Sequence, residues 1–334
     1  MSDLKINNIT DSSGNSGPAI AGVSTVSTTG AFVVPVGPTE MRGGRGRGLF
    51  GSGATPTGTN VIDMIEIATT GDATDFGDDN LVRQEGYAAF ASPTRGCFAG
   101  GLITPSPGAN TTDIAYVTIS SQGGVSNFGD LQVAASRNVG LSDSTRGISA
   151  GSADPTSNII EYVTIASTGD GTDYGDLTLI RYGSGACASP TRGLIAGGSP
   201  NTNVISYITI QTKGNTETFG NLTDDPNHLA GCSNSTRGLF AGGQNPSNVN
   251  TIEYVTIATF GNAINFGDLA NATDYLGACA SATRGVFGGG QTPTKLDTIQ
   301  YVTIATTGDT IDFGDLTVAR RFCMGLSDVH GGLG

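Results

Sequence analysis

Short stretches of alternating apolar and polar residues, separated by Gly, Asn, Asp and Pro, run along most of the chain. In "TIEYVTIAT" (251–259) apolar Ile252, Tyr254, Val255 and Ile257 alternate with polar residues except at the Tyr-Val step, and the set is rich in β-branched side chains. Such residues crowd a helix but fit a pleated strand, and period-two alternation marks a strand with one buried face. The runs last five to eight residues. Their separators supply the backbone angles of tight turns. No window carries a helical period, so the pattern predicts an all-β chain.

The runs recur. An Arg-Gly dipeptide stands at Arg47, Arg95, Arg146, Arg192, Arg237 and Arg284, and a pair of small residues such as Gly242-Gly243 follows each. Between successive copies the same order repeats: a small apolar run ("GACAS", strand a), "RGLFAGG" (strand b), "IEYVTIAT" (strand c) and "AINFGDL" (strand d). Four antiparallel strands per unit of 40 to 50 residues predict a β-propeller blade. Six copies predict a six-bladed ring over residues 46–334. The last strand a, near 321–328, has no blade after it. It is expected to return to the first blade and close the ring, removing the open edges that promote aggregation.

The repeat resembles Kelch-like propellers in its glycine pair after strand b and its aromatics in strands c and d. It differs in placing Phe or Tyr in strand d where Kelch repeats favour Trp. The chain has no Trp at all.

Composition narrows the functional classes. The formal net charge is −13 and the pI about 4.4. A nucleic-acid surface needs clustered positive charge, so no nucleic-acid partner is expected. No 18-residue apolar run is present, so no membrane insertion is expected. "MSDLKINNIT" has no signal-peptide core, which predicts a protein made in a cytoplasm and not exported by the usual route. Five cysteines predict no disulfide framework. Three of them, Cys187, Cys232 and Cys279, share one strand-a column with Phe90, Leu141 and Leu326. Phe and Leu cannot bind metal, so the column is read as core.

Three further columns are structural candidates. One is the arginines Arg47, Arg95, Arg146, Arg192, Arg237 and Arg284. The second is the strand-d aromatics Phe76, Phe128, Tyr174, Phe219, Phe266 and Phe313. The third is the "FGD" aspartates Asp78, Asp130, Asp176, Asp268 and Asp315, with Asn221 in the fourth blade. The arginines are expected to tie neighbouring blades through carboxylate and carbonyl acceptors, with the aspartates as their matching column. The aromatics are expected to pack between blades. Acidic triplets such as Asp309, Asp312 and Asp315 do not converge on one strand face and lack a calcium-loop pattern.

With His228 and His330 its two histidines, and with no HExxH, P-loop or GxSxG motif, the chain is expected not to be an enzyme and to carry no cofactor or metal.

Length varies inside the repeat at one place. Between the glycine pair and the strand-c aromatic position the spacing runs 11, 15, 10, 9, 11 and 11, whereas from that position to the strand-d aromatic it is always 12. The b–c loops therefore emerge as the variable face, with 102–112 the longest. Candidate binding residues there are Thr104, Pro105, Ser106, Asn110, Asn201, Asn245 and Asn248.

Residues 1–40 lie outside the repeat. They form a candidate attachment arm, and a Gly/Arg-rich joint over 41–48 leads into the first strand. The "INNIT" start and the body "SGPAIAGVSTVSTTGAFVVP", followed by Kelch-like repeats, resemble virion structural proteins of marine tailed phages of the cyanophage type. That resemblance implies an arm docking to other virion proteins, a propeller on the exposed virion surface, a host glycan or protein as partner, and a possible homo-oligomer through the arm. The alternatives are a capsid-decorating or spacer protein with no ligand, and a carbohydrate-active propeller enzyme. The last would need a concave acidic pair confined to one blade.

Overall fold

The computed structural model describes residues 46–56, 58–104 and 108–333. The attachment arm 1–40, most of the joint, Pro105 and Ser106 lie outside the described residues. The alternating runs become strands as expected, and six four-stranded antiparallel sheets form a six-bladed β-propeller. Blade 5 is typical: strand a Ala230–Ser233, b Arg237–Ala241, c Thr251–Thr256 and d Ile264–Asp268. No α-helix occurs among the described residues; one 3-10 turn covers Gly331–Leu333.

The ring closes with its last strand. Met324–Ser327 pairs antiparallel with Gly48–Gly51 of strand b, Arg47–Gly53, and supplies strand a of blade 1. Strands a stand innermost, where they pack against their counterparts in neighbouring blades. Their residues alternate around the ring. Ala89, Ala186 and Ala278 face Gly140, Gly231 and Gly325 across successive blades, and Ala91, Ala188 and Ala280 face Ser142, Ser233 and Ser327. Each serine Oγ donates to the carbonyl of the neighbouring alanine, at 2.8, 2.7 and 2.6 Å. The six-fold repeat is thus a three-fold arrangement of blade pairs at the axis.

Six buried clusters among the described residues hold the blades together, each spanning two neighbours. The strand-d aromatic sits in each one. Phe266 of blade 5, for example, joins Val302 and Ile304 of blade 6. It also meets Tyr254 of its own blade edge-on, at 5.9 Å between centroids. The odd member, Tyr174, keeps its hydroxyl satisfied by donating to the carbonyls of Thr209 and Thr212, both at 2.7 Å. All five cysteines are buried and free.

The glycine pair has a steric cause. Gly242 (φ 64) and Gly243 (φ 101) are left-handed, and a Cβ on either would come closer than 3.0 Å to backbone oxygen of Thr273 or Asn227.

The loop 102–112 is not a free loop. It is largely a hairpin, Leu102–Ile103 against the start of Ala109–Thr118, laid onto Arg83–Glu85. The hydrophobic Leu102 and Ile103 are half-buried there, which is the physical reason for the added length.

Candidate binding face and channel mouth

The up-and-down strand order puts every b–c loop and every d–a connection at the same end of the ring. Isolated bridges pin one onto the other, as between Tyr182 and Ser199, Asn227 and Gln244, and Asp274 and Gln291. The variable face and the channel mouth are therefore one surface.

At the mouth, one residue per d–a connection faces the axis: Gly86, Arg137, Gly183, His228, Tyr275 and Phe322. Their backbones form a chain of hydrogen bonds from blade to blade. Arg137 N donates to Gly86 O (2.5 Å), Gly183 N to Arg137 O (2.8 Å), His228 N to Gly183 O (2.6 Å), Tyr275 N to His228 O (3.0 Å) and Phe322 N to Tyr275 O (2.8 Å). From Arg137 onward all five have φ between 53° and 60°. The left-handed region costs a non-glycine residue roughly 1–2 kcal/mol. Four such residues therefore hold the mouth in a conformation that glycine would adopt freely.

Above this ring lies an open cup of about 600 Å³, counting its solvent-open mouth, floored by the small residues of strands a. Tyr275 and Phe322 pack with centroids 4.1 Å apart, and His228 lies 4.3 Å from Tyr275. The His228 ring covers Gly183, where a Cβ would meet it closer than 3.0 Å. Arg137 lies 5.7 Å and Arg321 5.3 Å from the Phe322 centroid. Glu85 pairs with Arg137 through Nε (2.8 Å) and Nη2 (2.7 Å). Arg321 donates to Gln291 Oε1 at 3.0 Å and has no carboxylate within salt-bridge distance among the described residues.

The state of His228 follows from its neighbours. Asn227 donates through Nδ2 to Asn201 Oδ1 (2.7 Å), so its Oδ1 is the acceptor facing His228 Nδ1. The proton therefore sits on Nδ1, and Nε2 carries a lone pair. That Nε2 is buried and has no partner among the described residues. Burial, reinforced by Arg137 and Arg321, pushes the imidazole down from 6.5 to about 3. The unfolded chain takes up this proton near pH 6.5 and the folded chain does not until about 3. Stability contributed by neutral His228 is thus complete above about 6.5 and is lost as pH falls through that window. Buried Glu161, Glu253 and Asp274 are shifted upward by desolvation and act with the opposite sign, gaining stability on acidification. Comparison with His228→Asn isolates the imidazole, because Asn tolerates the left-handed region. Urea midpoints of that variant should fall less steeply between pH 6.5 and 4 than those of the parent; parallel curves would refute this assignment.

The opposite end of the channel is filled. His330 Nε2 lies 3.0 Å from Ala91 O and 3.2 Å from Ser142 Oγ, and Gly331–Leu333 packs against strands a.

No protein-family model and no curated protein sequence matches the chain.

The sequence-selected asparagines are largely engaged between loops. Asn110 donates to Asp154 O, and Asn201 exchanges bonds with Asn245 and Asn227. Asn245 also reaches Asp224 and Asp225, and Asn248 donates to Asp274 Oδ1 and Gln291 O. Thr104 is bonded to Val82 O. These residues stitch the rim of the cup and are not its lining. Sequence reasoning did not select the lining residues, although one signal was available: in an otherwise regular repeat, the position four before the strand-a column reads Gly, Arg, Gly, His, Tyr, Phe.

The arginine column forms a second ring, on the far side of the blades. Each Nη1 donates to the carbonyl of an isoleucine in the next blade: Arg47 to Ile119, Arg95 to Ile165, Arg146 to Ile210, Arg192 to Ile257, Arg237 to Ile304 and Arg284 to Ile67, at 2.7–3.1 Å. From Arg95 onward each guanidinium also covers the strand-c tyrosine of its own blade at 4.4–5.0 Å. Arg47, in the one blade that has Met64 in place of the tyrosine, pairs with Glu66 instead (3.3 Å).

The aspartate column is not the partner of these arginines. Asp78 lies opposite Val61 at the start of strand c, whereas Arg47 lies opposite Glu66 at its end. The two columns stand at opposite ends of the blade, and the aspartates are exposed or half-exposed on the outer strand. Their backbone amides receive the next blade's turn, as Asp268 N donates to Asp309 Oδ1 at 3.0 Å. Arg192 is half-buried, bonded at 2.7 Å and stacked on Tyr207 and Phe260 (5.0 and 4.8 Å). Arg192→Ala should therefore cost about 2–3 kcal/mol, from one charge-assisted bond and the ring contacts. An unchanged urea midpoint would refute the tie.

Proposed function

We propose that the chain is a non-enzymatic surface protein of a phage particle. Residues 1–40 dock it to other virion proteins, and the propeller presents the face bearing the b–c loops and the channel mouth to the host. One observation carries this reading. The repeat is chemically uniform wherever it builds blades and irregular at the mouth, where four side chains are held in a strained conformation. Strain maintained at one station of a regular scaffold points to a binding role. The spacer reading draws support from the loop asparagines, whose amides are engaged by neighbouring loops.

The two differ in a competition experiment on the particle that carries the protein. Purified full-length chain should block particle adsorption to host cells, and gold-labelled antibody should mark tail or fibres. Labelling spread over the head, with no competition, would favour the decorating spacer.

A further inference from the structure

The cup is shaped by side chains that differ from one another. Tyr275, half-buried at the mouth, offers aromatic surface on which a ring can lie, whereas Phe322 beside it is buried. Arg137 uses Nε and Nη2 on Glu85, which leaves Nη1 without a protein partner among the described residues. His228 Nε2 is buried against Gly183. Arg321, stacked on both aromatic rings, adds positive charge at the rim of a chain whose net charge is −13.

We propose, building on the binding role above, that the cup takes the terminal acidic sugar of a glycan. A sugar presents a face of C–H groups to Tyr275. Its carboxylate accepts from Arg137 Nη1. A carboxylate on guanidinium is among the stronger hydrogen-bond pairings. An inorganic anion would leave the aromatic surface unused. A polyanionic run would be repelled by a chain whose net charge is −13, so one charge at a chain end is the better match. The small floor suits an end group that enters from above.

The ring supplies its own control substitutions. Glycine already stands at two of its six positions, Gly86 and Gly183, so Arg137→Gly and Tyr275→Gly leave the left-handed backbone acceptable, and Arg137→Asn provides a second variant that tolerates it. The full-length chain is applied to an array of paired oligosaccharides that end in glucuronic acid or in glucose. Acid-terminated members should bind at least about tenfold tighter than their neutral partners. Both Arg137 variants should remove that preference, and Tyr275→Gly should weaken both classes. Equal binding of the pairs, or an acid preference that survives both Arg137 variants, overturns the assignment. Binding that survives all three variants but disappears when "SPNTN" replaces 102–112 overturns the cup and retains the binding face. An array with no hit overturns the acidic-sugar assignment and leaves the wider reading to the adsorption experiment.

Discussion

A chain that stops at Ala319 is expected to form no soluble ring and to aggregate on expression. The truncation removes strand a of blade 1, Met324–Ser327, and leaves the inner edge of Gly48–Gly51 without backbone partners. It also removes buried side chains from two interfaces. Cys323 packs with Phe50 and Val286 between blades 6 and 1, and Leu326 packs with Leu49 and Phe98 between blades 1 and 2. Each large apolar side chain contributes about 1.5–3 kcal/mol on burial. Phe322, Met324 and Leu326 are lost together with Arg320, Ser327 and the backbone pairing. The sum approaches the whole stability of an ordinary domain, about 5–15 kcal/mol. The exposed edge then offers a template for other chains. Sedimentation of the expressed truncation and a thermal melt of any soluble fraction test this. A soluble truncation with a single cooperative melt would mean that the remaining five blades hold the ring by themselves.

Much of this architecture was legible because it is written in side chains at fixed spacing. The alternation of "TIEYVTIAT", the constant 12-residue step to the strand-d aromatic, and a strand-a copy with no blade after it were enough for the blade, the count and the closure. The arginine ring was legible in position but not in chemistry, since its acceptors are backbone carbonyls and every residue carries one. Hence the aspartates looked like partners until the register set them at the other end of the blade. The pairing of blades at the axis was present in the letters, as Ala-Cys-Ala or Ala-Phe-Ala alternating with Gly-Cys-Ser or Gly-Leu-Ser, but its cause is a close approach of neighbouring strands. The cup was hidden for a different reason. Its residues stand one per blade, are unlike one another, and converge only because the ring closes. The candidate asparagines were chosen for exposure in variable loops, and the same polarity that recommended them lets them bond to neighbouring loops.

Another column was missed because only three junctions carry it. Arg83, Arg181 and Arg320 are buried, and each crosses from a d–a connection into the next blade. Arg320 donates to Val61 O (2.9 Å), Phe50 O (3.1 Å) and Asp63 Oδ2 (2.8 Å), and both side chains of the pair are fully buried. Arg181 makes the corresponding bonds to Val204 O (2.8 Å) and Ile195 O (3.0 Å), but Ser206 stands where blade 1 has Asp63. Burial without a carboxylate pulls Arg181 down from 12.5 to about 10, so it remains charged at neutral pH. Arg83 and Arg320 thus each have an acid partner and Arg181 has none among the described residues, which sets an asymmetric expectation. Arg320→Met leaves Asp63 as a buried charge held by Thr317 alone, through its amide (3.0 Å) and hydroxyl (2.6 Å), and should cost about 3–5 kcal/mol. Asp63→Ser reproduces the Arg181 junction and leaves Arg320 its two carbonyls. It should cost less by at least about 1 kcal/mol, because removal of the acid leaves a neutral acceptor and no orphaned anion. Arg320→Met combined with Asp63→Ser should then be less damaged than Arg320→Met alone. Urea unfolding of the three variants measures these differences. Equal losses for the two single variants, or a double variant that is weaker by their sum, would show that the carboxylate does not depend on Arg320 and that this junction is held by the carbonyl bonds.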